Sequence, residues 1–285
     1  MNRFESILLP LDGSPEAAKG IGCALWLAME LGATLHVVHA TMQPLPVGEA
    51  LERLRVKNVE LAKIVVHQLP SNAASAVLDE IAAHRIDLVV MSAGGESTSA
   101  GAVLHNHLGT VARAVIERCP VPVLLLPLRY HEVLPWTSML AAASGEAAAD
   151  QALESAVRLA AALRLKVTAV RCEDAQLATY ADMMHYEYPR RMEEMARRGL
   201  AGCANTESHC VEQVLLRRGT PADVLLQQVA SQASSVLALG WHGAFGAGRA
   251  LVLKRLLEEA TCALLLVRGA DGTDARLMVG EGIGD

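Results

Sequence analysis

Two loops in this sequence carry groups able to hold a polar ligand. The first is Leu11-Asp12-Gly13-Ser14, directly after the apolar run Ser6-Ile-Leu-Leu-Pro. A carboxylate at Asp12 can accept hydrogen bonds from ribose hydroxyls or an adenine amine. The same residues serve a plainer purpose, because Asp12 or Ser14 can cap a helix opening on Ser14-Pro15-Glu16. The second loop runs from Met91 through Gly94, Gly95 and Gly101 to Gly109-Thr110-Val111. Glycines let backbone amides approach phosphate oxygens closely, and a helix opening at Gly109-Thr110 presents its first N–H groups to an anion.

Other groupings lead less far. His105-Asn106-His107 offers two imidazoles without a third ligand beside them, so no metal is expected there. Asp182, His185 and Glu187 read as solvated ions at the start of an amphipathic helix through 191–200. The chain shows no Gly-x-Ser-x-Gly elbow, no phosphate-loop lysine motif and no Cys/His dyad. No catalytic residue is assigned, and the expectation is a protein that is not an enzyme, with weak ATP hydrolysis left open.

The elements that must position these loops occur twice. Ser6–Pro10, a helical stretch to Gly32 and the strand Leu35–Ala40 return 132 residues later as Met139–Ala143, a helix to about Leu163 and Val167–Cys172. Ile86–Met91 and Val121–Leu126 likewise parallel Ser235–Leu239 and Ala263–Val267. Helical stretches at 73–85 and 221–233 repeat apolar residues at i, i+3 and i+4. Continuous apolar strands alternating with helices predict parallel sheets covered on both faces. Each unit should therefore be an open five-stranded α/β domain, one over 1–128 and one over 136–269, followed by a loose tail at 270–285.

Bulk composition agrees. Apolar residues make up 52% and aromatics only 3%, which calls for an aliphatic core of Leu, Val, Ile and Ala. A net charge of −6 supplies no field for nucleic acid or an anionic membrane. The six scattered cysteines form no Cys-x-x-Cys pair and read as reduced thiols. Glu5 and Asp12 interrupt the apolar stretch a signal peptide needs, and Glu30 with Gly32 breaks the most membrane-like window. The expected location is the cytoplasm.

With its strand-Leu-Asp-Gly-Ser start, its His39 ending on the second strand and its Cys119-Pro-Val-Pro-Val-Leu-Leu-Leu126 close, the chain resembles a tandem universal stress protein. The resemblance implies a Rossmann-like fold akin to the adenine nucleotide alpha hydrolases and a role in stress response or signalling. In the ATP-binding branch of that family the second loop reads Gly-x2-Gly-x9-Gly-Ser/Thr. Carried over, the binding roles for ATP or another adenine nucleotide, with Mg²⁺, fall on Asp12, Ala40, Gly95, Gly109, Thr110 and Val111. Here Ser92 stands at the first glycine, and thirteen residues rather than nine separate Gly95 from Gly109. The second copy keeps Gly240 and Gly243 but has Ser144 in place of the aspartate and Ala250-Leu251 in place of Gly-Ser/Thr. It is expected to be a structural partner with at most a vestigial phosphate loop. The resemblance further implies pairing of the two last strands within one chain, imitating a two-fold dimer, and it allows a homodimer between chains. The alternative is an interaction module that binds no nucleotide.

Overall fold

A computed structural model describes residues 4–57, 62–95, 108–131, 133–144, 146–173, 210–245 and 248–269. The tail at 270–285 and the residues Gly101, His105, His107, Asp182, His185, Glu187 and Gly246 lie outside the described residues.

The first half supplies strands β1 (Ser6–Pro10), β2 (Thr34–Ala40), β3 (Lys63–Leu69), β4 (Leu88–Ser92) and β5 (Val123–Leu126). The second supplies β6 (Ser138–Ala142), β7 (Lys166–Glu173), β8 (Val211–Arg218), β9 (Val236–Trp241) and β10 (Ala263–Arg268). They form one ten-stranded sheet in the order β3-β2-β1-β4-β5-β10-β9-β6-β7-β8, so the second half repeats the first in mirror order. Every pairing within a half is parallel. At the junction β5 and β10 run antiparallel, with Leu125 opposite Leu264 and Leu124 opposite Leu265.

The continuous apolar runs are explained by coverage on both sides. Ile7 and Leu9 face one layer, which is formed by helices α2 (Gly20–Leu31) and α6 (Ala147–Leu163); Leu8 between them faces the other. That opposite layer is built from α4 (Ala73–Ala83), α5 (Thr110–Arg118), α7 (Pro221–Gln232) and α8 (Leu251–Glu259). Two short helices, α1 (Pro15–Ala18) and α3 (Val47–Arg53), complete the described set. Each layer therefore runs unbroken across both halves. Helices α2 and α6 touch each other over the junction, and the rings of Trp26 on α2 and Trp136 just before β6 meet at a tilt of 58°, centroids 4.9 Å apart.

The two copies close their long helices in the same way but with different residues. Helix α2 ends on Gly32 at φ 64°, with Ala33 N–H donating back to the Ala28 carbonyl at 2.9 Å. Helix α6 ends on Arg164 at φ 57°, with Leu165 N–H donating to Ala160 at 2.8 Å. This left-handed closing position suits glycine, and a side chain there is strained by roughly 1 kcal/mol. Arg164→Gly is accordingly expected to stabilise the protein by about 0.5–1 kcal/mol, read as a higher urea midpoint with an unchanged slope.

Candidate functional site

Strand β1 ends on Pro10, and the chain then turns under strict control. Leu11 N–H donates to the Val38 carbonyl at 2.9 Å, while His39 Nδ1 donates to the Leu11 carbonyl at 2.9 Å. Because that partner is a carbonyl, Nδ1 carries the proton and the ring is held as a strut between β2 and the β1 exit. Ser14 caps α1, its Oγ accepting from Ala17 N–H at 3.1 Å, and Asp12 Oδ1 accepts from Ser14 N–H at 2.8 Å. Gly13 sits at φ 85°, a conformation that favours glycine. Capping thus falls to Ser14, and Asp12 braces the turn with one oxygen. Its other oxygen is aimed across the loop: a Cβ built on Gly95 would lie 2.8 Å from Oδ2.

The second loop is pinched at its base. Ala93 N–H donates to the Leu126 carbonyl at 2.8 Å, and the Ala93 carbonyl accepts from Gly109 N–H at 2.7 Å. Gly94 N–H donates to the buried Ser92 Oγ at 3.3 Å, so the serine at the first glycine position stabilises the turn. The neck sets Gly95 and Gly109 independently of the length of chain between them. Helix α5 starts after Gly109 with no side chain capping it, which leaves the amides of its first turn to whatever fills the cleft.

Together these pieces enclose a cleft of ≈ 310 Å³ at the carboxyl ends of β1, β2 and β4. All six residues predicted for the first copy, Asp12, Ala40, Gly95, Gly109, Thr110 and Val111, line it. Val38, Ala73, Val77 and Met91 give it an apolar flank, and no lysine or arginine is among its lining residues. Such a site offers a flat apolar slot, a carboxylate and a fan of amides, a combination suited to a base, a sugar and a phosphate.

The corresponding cleft in the second half is larger, ≈ 690 Å³, and built differently. Ser144 replaces the aspartate and accepts from Glu146 N–H at 3.3 Å, while Glu146 pairs with His242 Nε2 at 3.0 Å on the exposed rim. Gly240 lines the cavity, but its absent side chain serves packing. A Cβ there would lie 2.2 Å from the carbonyl carbon and oxygen of Ala148, in the first turn of α6. Gly243, at φ 75°, is pressed against Arg268, with the Glu117 carbonyl of α5 behind it, and does not line the cavity. Trp241 stands where the first copy has Ala93, its ring 5.0 Å from that of Phe245, over which the Arg113 guanidinium lies at 5.8 Å. Helix α8 opens on Ala250 at φ 53° and an exposed Leu251 instead of Gly109-Thr110.

Among the described residues of the clefts, none is hydrogen-bonded as a nucleophile to a base. Elsewhere, burial pushes the Cys119 thiol up to about 11 and Cys262 up to about 12, so neither is a thiolate near neutral pH.

Sequence reasoning missed one constellation. His36 on β2 and His67 on β3 lie two residues apart in register on the face beneath α4, where they meet Glu80 and His84. Burial, together with the neighbouring imidazoles, lowers His36 to about 4; burial also lowers His67, against the pull of Glu80. The four-residue spacing of Glu80 and His84 was visible, but the strand carrying His67 was not delimited.

A tandem α/β protein with a cleft at the strand ends of its first half and a differently built counterpart in the second is the class that this fold and site define. A sequence profile of the universal stress protein family matches residues 3–127 and 135–268. The chain belongs to that family. It is 32% identical over 140 residues to a universal stress protein encoded 3′ of a sulfhydrylase gene in Thermus aquaticus, a match covering 43% of this chain and 98% of that protein. The crystal structure of a universal stress protein from Archaeoglobus fulgidus superposes with a TM-score of 0.61 at 17% identity, covering 94% of this chain and 99% of that one. A functionally unknown protein from Pseudomonas aeruginosa superposes at 0.63 with 15% identity, covering 93% of each chain. Both structures share the two-unit fold with this chain.

The two glycine loops predict opposite responses to a methyl group. Gly240→Ala should cost about 2 kcal/mol or more, because its clash is with helix backbone. Gly95→Ala should cost under about 1 kcal/mol, because only the tip of Asp12 must move. Chemical denaturation of both variants checks this.

Proposed function

We propose that this protein is a stress-response or signalling protein whose first half binds ATP or a related adenine nucleotide, while the second half serves as its structural partner. The observation that carries the reading is the convergence of Asp12 Oδ2, Gly95 and the uncapped start of α5 on one cleft. The base would lie between Val38, Ala40 and Val77, the ribose against Asp12, and the phosphates at the amides following Gly109. With no lysine or arginine among the described residues lining the cleft, phosphate charge would be left to those amides and to a divalent cation, and the oxygen donors present suit Mg²⁺. The antiparallel β5–β10 pairing would let one chain stand in for a two-fold dimer. The protein would work in the cytoplasm, in keeping with scattered cysteines that form no Cys-x-x-Cys pair.

The remodelled second cleft favours another reading, in which the family fold is kept as an interaction module without nucleotide. Mass spectrometry of small molecules released from freshly purified protein separates the two. An adenine nucleotide supports the first reading, and its absence supports the second.

Calorimetric titration with ATP and Mg²⁺ should show binding that Asp12→Ala weakens about ten-fold, the worth of one charge-assisted hydrogen bond. Phosphate release should not exceed a buffer blank. An Asp12→Ala protein that binds as well as wild type contradicts the assignment.

A further inference from the structure

The cluster missed in the sequence sits apart from the cleft, toward the opposite end of α4. Glu80 lies on the buried side of that helix and is 8% exposed. Its Oε2 is 3.1 Å from His67 Nδ1 and 2.9 Å from His84 Nε2, yet it is fully buried and accepts no aligned hydrogen bond. A carboxylate oxygen taken out of water without a donor is strongly unfavourable, and buried charges of this kind are paired or coordinate metals. Its close neighbours are imidazole nitrogens, whose in-plane lone pairs are metal ligands whenever the ring is neutral.

The second nitrogen of His67 is also accounted for. His67 Nε2 lies 3.0 Å from His36 Nδ1, with the two rings nearly parallel at 13°. Two tautomers satisfy this contact. When His36 donates, His67 Nδ1 carries a proton toward Glu80; when His67 donates from Nε2, its Nδ1 lone pair turns toward Glu80, an arrangement that a bound cation satisfies. His36 then acts as the outer partner that fixes the tautomer and orientation of a ligating histidine.

We infer that His67 Nδ1, His84 Nε2 and the Glu80 carboxylate form a binding site for a divalent transition-metal ion, with Zn²⁺ the best chemical match. Two histidines and one glutamate are a recognised zinc ligand set, with a further position left for water. The candidate ligand atoms all lie within 4.8 Å of one another. Ligands at about 2.0–2.1 Å from a tetrahedral zinc stand roughly 3.3 Å apart, so the two contacts to Glu80, at 3.1 and 2.9 Å, need to open by only a few tenths of an ångström. The half-exposed His84 ring gives the ion a path from solvent and leaves the open position facing it.

The position in the fold gives the ion a structural effect. Strand β3 is an edge of the ten-stranded sheet, and the site would fasten it to the end of α4. The other end of α4 contributes Ala73 and Val77 to the cleft. A metal bound here would therefore brace the helix that forms one wall of that cleft, and this holds whether or not the cleft takes a nucleotide.

The test uses the full chain, stripped with chelator and then titrated with Zn²⁺ and, separately, Co²⁺. One Zn²⁺ per chain attributable to the cluster, a raised melting temperature, and Co²⁺ d–d bands without thiolate charge-transfer absorption are expected. His84→Asn, at a half-exposed position that should not disturb folding, and Glu80→Gln are each expected to weaken that binding by ten-fold or more, and His36→Leu by less. The inference is overturned if Zn²⁺ does not bind, if a thiolate spectrum appears, or if His84→Asn and Glu80→Gln bind metal as tightly as wild type while melting normally.

Discussion

Strand β5 carries Val123–Leu126 with every side chain buried, and β10 does the same with Ala263–Val267. Either strand left as a free edge would present unpaired backbone groups flanked by aliphatic side chains on both faces, a surface that invites aggregation. Pairing each with the other removes both edges at once and makes one sheet of two. The remaining edges, β3 and β8, are the more polar strands, with residues such as Lys63, Glu212 and Arg217 exposed along them. Much else follows from this junction. Both helical layers become continuous across the halves, and the two clefts end up on the same sheet, related by an approximate two-fold axis.

That symmetry is one of fold and not of chemistry. In the first half the turn after β1 is braced by Asp12 and the loop neck by the Ala93–Gly109 bond, so the backbone amides stay available to a ligand. In the second half the same sequence positions serve packing. Gly240 admits the first turn of α6, Gly243 lies against Arg268 at the junction, and Trp241 fills the place of Ala93. These glycines answer to packing, one within the second half and one at its junction with the first. The loss of the aspartate to Ser144 and the change of Gly109-Thr110 to Ala250-Leu251 belong to the same shift.

Much of this was legible before the fold was known, and the reasons are physical. Strands buried on both faces must be continuously apolar, so β1, β4, β5 and their counterparts stand out from the sequence. The 132-residue offset carries through to the helix ends, from Gly32 to Arg164. Strand β3 did not stand out because its apolar run is only Ile64-Val65-Val66, followed by His67 and Gln68 and without the full burial that marks the inner strands. With it went His67, and the meeting of His36, His67 and Glu80 is a tertiary fact that no linear spacing encodes. The lengthened loop was ambiguous for the opposite reason. Counting residues suggested a disturbed motif, whereas the hydrogen bond at the neck makes the count irrelevant to where Gly95 and Gly109 sit. The Gly-x2-Gly at 240–243 shows the converse, a motif intact in spelling whose glycines answer to steric contact.

The central claim is asymmetry: two copies of one fold, with ligand binding confined to the first. Native mass spectrometry of the full chain at saturating ATP and Mg²⁺ tests it most directly. The account predicts one nucleotide per chain at saturation; with ATP near the wild-type Kd, occupancy falls in Asp12→Ala as expected for about ten-fold weaker binding and is unchanged in Ser144→Ala. Two nucleotides per chain, or an Asp12→Ala protein that fills as readily as wild type at that concentration, would contradict it.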